Sequence, residues 1–214
     1  MKSYVITITD NPKSVMCAER CIKSMPDYDV QMFDAITPKN DPLAMLKQKG
    51  IPQYGFEERF SNLQNCVAAF LSHHTLWEMC ADSNEEFQIF EHDAVCVGDI
   101  PKFIQYTGCI SLGKPSYGKF NTPKVLGVNQ LTSKKYFPGA HAYRLKPSAA
   151  RAFIGCAKEM ARPTDVFLNI DTFGWLQEYY PWPVIANDSF TTIQKTDGCL
   201  AKHNYGESYE ILTV

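Results

Sequence analysis

Phe87-Gln88-Ile89-Phe90-Glu91-His92-Asp93 is a short apolar run that passes without a break into three polar residues, two of them acids. Bounded upstream by Asp82-Ser83-Asn84, it reads as a buried strand with an acidic end. Immediately before that stop, Leu63, Cys66, Val67, Phe70, His74, Trp77 and Ala81 recur at the three-and-four spacing of one helix face, with Ser61 placed as the cap. Further back, Ser3 to Thr9 alternates β-branched residues and stops at Asp10-Asn11-Pro12, as a strand and turn do. Strand, helix and strand in this order predict a parallel pair joined by a right-handed crossover. The chain therefore reads as α/β, a mostly parallel central sheet flanked by helices.

The remaining segments extend that pattern. A helix is expected over 15–25 and a short strand over 29–33. Residues 38–59, punctuated by Pro38, Asn40, Pro42, Gly50, Pro52 and Gly55, read as loop with one helical turn. Strands are expected near 109–112, 124–128 and 140–145. Pro147 opens a helix to about Met160, Asp165 caps another running to Tyr179, and 183–186 reads as a last strand. Gly/Pro-rich loops at 113–123 and 137–139 are candidate substrate loops.

Composition narrows the class. With 214 residues, 45% apolar and 21% charged, the chain suits one globular domain and is too short for two nucleotide-binding lobes. Its start, Met1 to Asp10, lacks the apolar core of a signal peptide, and nowhere do 18 apolar residues run consecutively. The eight cysteines are scattered without a Cys-x-x-Cys pair, which reads as reduced thiols in a cytoplasmic protein (host cytoplasm if viral) rather than a zinc site. The net charge of −2 hides an asymmetry. Between Ile100 and Lys158 there are ten basic residues and no acid, while the rest of the chain holds 11 basic against 23 acidic. Such a basic stretch predicts a positive surface for an anionic partner.

Glu91 and Asp93 are two apart, so in extended backbone both project to one face at the carboxyl end of a buried strand, where α/β sheets bind ligands. Adjacent carboxylates repel unless a cation lies between them, and Mg²⁺ or Mn²⁺ takes one or two carboxylates and completes its shell with phosphate oxygens and water. A solvated acidic turn would have the same spacing. The surrounding residues add to the signal. Asn65-Cys66-Val67-Ala68-Ala69-Phe70-Leu71-Ser72-His73-His74-Thr75-Leu76-Trp77-Glu78, followed by Ile89-Phe90-Glu91-His92-Asp93-Ala94, resembles glycosyltransferase family 25. Phe33-Asp34-Ala35, Gly139-Ala140-His141-Ala142-Tyr143 and Pro163-Thr164-Asp165 resemble further elements of that family, in its order, across roughly residues 3 to 190.

The resemblance implies a single-domain, GT-A-like fold, a nucleotide-sugar donor (a UDP-sugar first) and dependence on Mn²⁺ or Mg²⁺. Residues 1–100 would form the nucleotide-sugar half and 101–214 the acceptor side. His92 stands where the family has a middle Asp, and Arg20 only approximates its N-terminal Asp-Arg step. On this reading Asp93 is the first metal ligand, Glu91 shares the metal or holds the donor ribose, and His203 could close the site. Thr7, Thr9 and Asp10 would lie where the base docks, His73 would shape the site, and His92 would pack. Asp165 is the candidate general base of an inverting transfer, with Asp171 in reserve. Each has a plainer reading: strand-to-turn, core histidine, helix cap, solvated tail.

The acceptor follows from the basic segment. Lys119, Lys134, Lys135, Tyr136 and Arg144 are its candidate contacts, among interleaved aromatics at 103, 106, 117, 120, 136, 137, 143 and 153. Basic residues neutralise phosphate and exposed aromatics stack on bases. Hydroxymethylated DNA of phage type and an anionic lipooligosaccharide both fit. A non-catalytic nucleic-acid- or carbohydrate-binding module of the same fold is the alternative.

Overall fold

The computed structural model describes residues 1–57, 61–187, 190–195 and 210–212. β1 (Lys2–Thr7) leads into α1 (Pro12–Lys23), which begins earlier than the apolar spacing indicates. Asn11 is the reason: its side chain accepts from the amides of Lys13 and Ser14 at 3.0 and 3.3 Å, and Pro12 sits at the first helical position. β2 (Val30–Asp34) follows, and α2 (Pro42–Gln48) occupies part of the segment read as loop, started by Asp41 accepting from the Ala44 amide. α3 (Leu63–Ser83) is capped by Asn62 rather than Ser61 and stopped by Asn84 in the left-handed region. β3 (Phe87–Glu91), β4 (Ala94–Cys96), β5 (Cys109–Ser111), β6 (Gly127–Gln130) and β7 (Ala142–Leu145) come next. Then come α4 (Pro147–Met160), α5 (Thr164–Phe167), β8 (Gln177–Tyr180), β9 (Val184–Ala186), β10 (Phe190–Thr191) and β11 (Glu210–Ile211).

Seven strands make one sheet in the order β2-β1-β3-β7-β5-β8-β6. The predicted parallel pairing of β1 with β3 is present, and β2 joins β1 in parallel on the other side. The sheet as a whole is mixed rather than mostly parallel. β7 runs against both β3 and β5, and β6 runs against β8. The chain enters β7 through Gly139 and Ala140, both at positive φ (85° and 48°).

β3 is covered on both faces, which is why it reads as continuous apolar sequence. Phe87 and Ile89 pack in the cluster of α3 and α4, with Phe70, Leu71, Trp77 and Phe153. Phe90 packs in the opposite cluster with Val5, Ala18 and Cys21 of α1.

The helix expected from Asp165 to Tyr179 is only one turn long. Asn169 ends it by donating to the carbonyls of Val166 and Phe167, each at 2.9 Å, and accepting from the Thr172 amide at 2.9 Å. These bonds replace the helical ladder and free 177–180 to become β8. Asp165 lies inside that turn, after Pro163 at the cap position. Among the described residues no helix is long and apolar enough to cross a membrane.

Candidate functional site

From β1 the chain passes through α1 to β2 on one side, then returns through α2 and α3 to β3 on the other. α1 and α3 cover opposite faces, so the carboxyl ends of β1 and β3 flank a crevice of the kind where open α/β sheets bind ligands. A cavity open to solvent lies there. It is lined by Ile6 and Ile8 at the end of β1, Ala35 to Pro38 after β2, and Glu91 and His92 after β3. Asn65, Ala68, Ala69, Ser72 and His73 of α3 form a further wall, with Thr192 and Ile193 beside it.

Local hydrogen bonds hold those walls. Ser72 Oγ accepts from the Ile36 amide at 2.9 Å and donates to the Ala68 carbonyl at 3.0 Å, tying the loop after β2 to α3. The Asn65 amide side chain donates to the Thr192 carbonyl, and the Asn62 amide donates to the Ile193 carbonyl at 2.7 Å. Residues 190–195 thereby lie along the start of α3. The sequence reading found the apolar stripe of α3 and missed the row beside it. Asn65, Ala68, Ala69 and Ser72 recur at helical spacing as small or polar residues, and small side chains leave the room that the cavity occupies.

Glu91 lines this cavity. Its backbone amide donates to the His141 carbonyl at 3.0 Å, and its Oε1 lies 3.1 Å from Nε2 of His73. Burial pushes the His73 ring down to about 3, so the contact joins a neutral imidazole to a carboxylate rather than two ions. The other ring nitrogen lies 2.9 Å from the Tyr143 hydroxyl, which also accepts from the Trp77 indole at 2.8 Å. His92 packs as expected, though from the turn after β3 and with part of it on the cavity wall. Its Nδ1 is 3.0 Å from Ser14 Oγ, its ring stacks on Phe190, and burial lowers its pKa against the pull of Asp93.

The extended backbone ends at Glu91, and His92 and Asp93 form the turn into β4. The shared-face argument therefore does not reach Asp93. Its carbonyl accepts from the Asn187 amide at 2.9 Å, and its charge is felt by His92 and by Cys21 of α1. Arg20, also on α1, donates to the Asn187 carbonyl at 3.1 Å. Among the described residues no three His, Cys, Asp or Glu side chains gather as a metal cage. Two carboxylates suit instead a cation that draws most of its ligands from phosphate and water, as Mg²⁺ and Mn²⁺ do. His203 lies outside the described residues.

Several candidates have other engagements. Thr7 is buried and donates to the Val5 carbonyl of its own strand at 3.0 Å; Thr9 bonds Asp34, and Asp10 pairs with Lys39. Thr7 ends β1 and Thr9 and Asp10 form the turn after it, yet none lines the cavity. Arg144 is a correction: it is buried, with Nε donating to Gln88 at 2.6 Å and a terminal nitrogen to the Tyr28 hydroxyl at 3.0 Å. Its place within β7 sends it into the core. Tyr106, Phe137, Tyr143 and Phe153 are core as well, leaving Phe103, Tyr117, Phe120 and Tyr136 at least partly accessible.

Asp165 belongs to a second polar group. Tyr117 donates its hydroxyl to Oδ2, and the Val166 amide donates to Oδ1 at 2.9 Å. Lys134 lies 4.9 Å from the ring centres of both Tyr117 and Tyr136 and donates to the Tyr117 carbonyl and the Tyr136 hydroxyl. Burial, then Asp165, raises the Tyr117 pKa, so the phenol keeps its proton and remains a donor. Lys135 and Asp171 form an exposed pair at 3.5 Å, and Lys119 is exposed.

The fold is thus a mixed α/β sheet with a cleft at its switch point and an acid on the cleft wall. The family model described as glycosyltransferase family 25 (LPS biosynthesis protein) matches residues 1–168, and the chain belongs to that family. Membership implies glycosyltransferase activity. It bears out the resemblance carried by the Ser72-His73 and Glu91-His92-Asp93 segments, with a match that ends at Leu168. No curated protein matches the chain significantly.

Proposed function

We propose that this chain is a metal-dependent, inverting glycosyltransferase with one GT-A-like domain. It takes a sugar from a nucleotide-sugar, a UDP-sugar in the first instance, held in the cleft at the ends of β1, β2 and β3. The observation that carries the reading is the cleft at the ends of β1 and β3 with Glu91 on its wall, in a chain of this family. Glu91 and Asp93 are the residues to hold Mn²⁺ or Mg²⁺, and Asp93 acts from the turn. A divalent cation bound there would offset the charge that develops on the diphosphate leaving group. Asp165 takes the proton from the acceptor hydroxyl, its carboxylate held by Tyr117 and the Val166 amide.

The acceptor is anionic and meets Lys119, Lys134, Lys135 and Tyr136. Of the two acceptors that fit the basic segment, lipooligosaccharide is favoured over hydroxymethylated DNA. Half of the interleaved aromatics are core and unable to stack on bases, and the family's own description is lipopolysaccharide biosynthesis. The test is release of nucleoside diphosphate from a panel of UDP-sugars with Mn²⁺, lost in Asp93→Ala. Sugar incorporation is then compared between lipooligosaccharide and hydroxymethylated DNA. Donor binding without any release, with every acceptor, would instead identify a binding module of the same fold.

A further inference from the structure

We infer that Trp77, Tyr143 and His73 form a directed hydrogen-bond chain that fixes the orientation of the Glu91 carboxylate, which makes His73 and Tyr143 positioning residues for the cleft. This rests on the reading of Glu91 as a donor-site ligand. The direction follows from chemistry at the first link. An indole N–H can only donate, so the Tyr143 oxygen, 2.8 Å away, accepts. The single proton of that hydroxyl is then left for Nδ1 of His73 at 2.9 Å. A ring accepting at Nδ1 carries its proton on Nε2, and Nε2 lies 3.1 Å from Oε1 of Glu91. In the other tautomer the hydroxyl oxygen would accept from both Trp77 and His73 and leave its own proton directed at neither, and a bare Nε2 lone pair would face a carboxylate oxygen. Both ends of the chain demand the same tautomer.

The fold makes this arrangement stiff. Trp77 and His73 are one turn apart on α3, and Tyr143 stands opposite Ile89 on the neighbouring strand, two residues before Glu91. Trp77 and Tyr143 are 0% exposed and His73 is 1% exposed, whereas the Glu91 side chain is 32% exposed. Trp77 packs against Phe70, Phe153 and Phe167 with ring centres 5.1–5.7 Å apart, and His73 stacks on Tyr143 at 5.8 Å. A partly exposed carboxylate is thus tied to a fully buried part of the core through three links. Such outer partners of a ligand set its orientation, and losing them lowers affinity about 10- to 100-fold.

Nitrogen-15 NMR of the histidine side chains reads the tautomer directly, and calorimetry with Mn²⁺ plus UDP, and Mn²⁺ alone, reads the site without turnover. The protonated nitrogen of His73 should be Nε2. His73→Leu should weaken Mn²⁺–UDP binding by about 10- to 100-fold. His73→Gln, whose amide returns an N–H near the Nε2 position, should restore most of that loss. Tyr143→Phe is nearly isosteric, so it decides the matter if His73→Leu fails to fold, and it should weaken binding several-fold. A proton on Nδ1, or wild-type affinity in Tyr143→Phe alongside a loss in Glu91→Gln, overturns the chain. Wild-type affinity in Glu91→Gln overturns the reading of the site beneath it.

Discussion

Arg144 Nε donates to Oε1 of Gln88 at 2.6 Å across the register pair joining β7 to β3, and both side chains are buried. A second bond reaches the Tyr28 hydroxyl, which in turn donates to the Ile100 carbonyl. The two ends of this contact should respond unequally to mutation. Arg144→Leu leaves neutral acceptors behind, at a cost of about 1–3 kcal/mol. Gln88→Leu leaves a buried cation without its shortest partner, at about 3–5 kcal/mol. Urea midpoints would show that order, and the KM for the acceptor should be unchanged in Arg144→Leu. A raised acceptor KM at full stability would return Arg144 to the acceptor surface.

Asn65 sets the width of the cleft. Its side chain holds the Thr192 carbonyl two helical turns from the Ser72 bond to Ile36, so two opposite walls hang on the same face of α3. Asn65→Ala should cost about 1 kcal/mol of stability, the worth of one partly buried hydrogen bond. Its main effect should be a raised KM for the nucleotide-sugar with kcat little changed, because the loss falls on binding that ground state and transition state share. Steady-state kinetics separates the two parameters, and a fall in kcat at constant KM would contradict this role for the wall.

Much of this was legible in the sequence, for physical reasons that differ by element. β3 shows because both faces are covered and all four residues before Glu91 are buried. α3 shows because its Trp77 and Phe70 stripe meets a single large core. The nucleating residues at 41–42 were equally available: Asp41 caps and Pro42 opens α2, yet the abundance of Pro and Gly nearby masked them. The false helix after Asp165 arose from apolar residues at 166–176 that fit helical spacing, while Asn169 competes for the backbone through its side chain. Arg144 was misplaced because charge suggests surface, and only the neighbours of β7 reveal that it is interior. The cavity wall was hidden for the opposite reason: small residues give little signal until the space they leave is seen.

Buried histidines make stability depend on pH. His74 is 2% exposed, its Nδ1 is 3.6 Å from Glu78, and neither ring nitrogen has a hydrogen-bond partner among the described residues. Burial first, with Lys49 adding and Glu78 opposing, pushes its pKa down to about 4 from the ordinary 6.5. The unfolded chain therefore binds the proton more readily. The contribution is fully present above pH 6.5 and is lost as pH falls towards 4. From pH 7 to pH 5 the loss should be about 2 kcal/mol from this residue alone. His73 and His92 shift the same way, so the isolating measurement is a comparison of urea midpoints at pH 7 and 5 for wild type and His74→Leu. The variant should show the smaller drop; an equal drop would place the acid sensitivity elsewhere.

Asp165 and Asp171 compete for the role of base, and their surroundings separate them. Asp165 has both carboxylate oxygens held, one by the Tyr117 hydroxyl and one by the Val166 amide, and the ring of that same Tyr117 lies 4.9 Å from the Lys134 ammonium. It also falls inside the stretch matched by the family model, which ends at Leu168. Asp171 pairs with Lys135 at 3.5 Å with both side chains more than 70% exposed, a contact that solvent and salt screen. Asp165→Asn should lower kcat by about 10²- to 10⁴-fold, the usual worth of a general base, with donor binding retained. Asp171→Asn should leave kcat within about twofold and stability within about 0.5 kcal/mol, as a surface change does. The decisive measurement is single-turnover transfer with both variants saturated in donor. If Asp171→Asn is the silent one, the proton goes to the carboxylate that the fold has fixed in place; if Asp165→Asn is silent, the base stands on the exposed loop and the Tyr117 contact is structural.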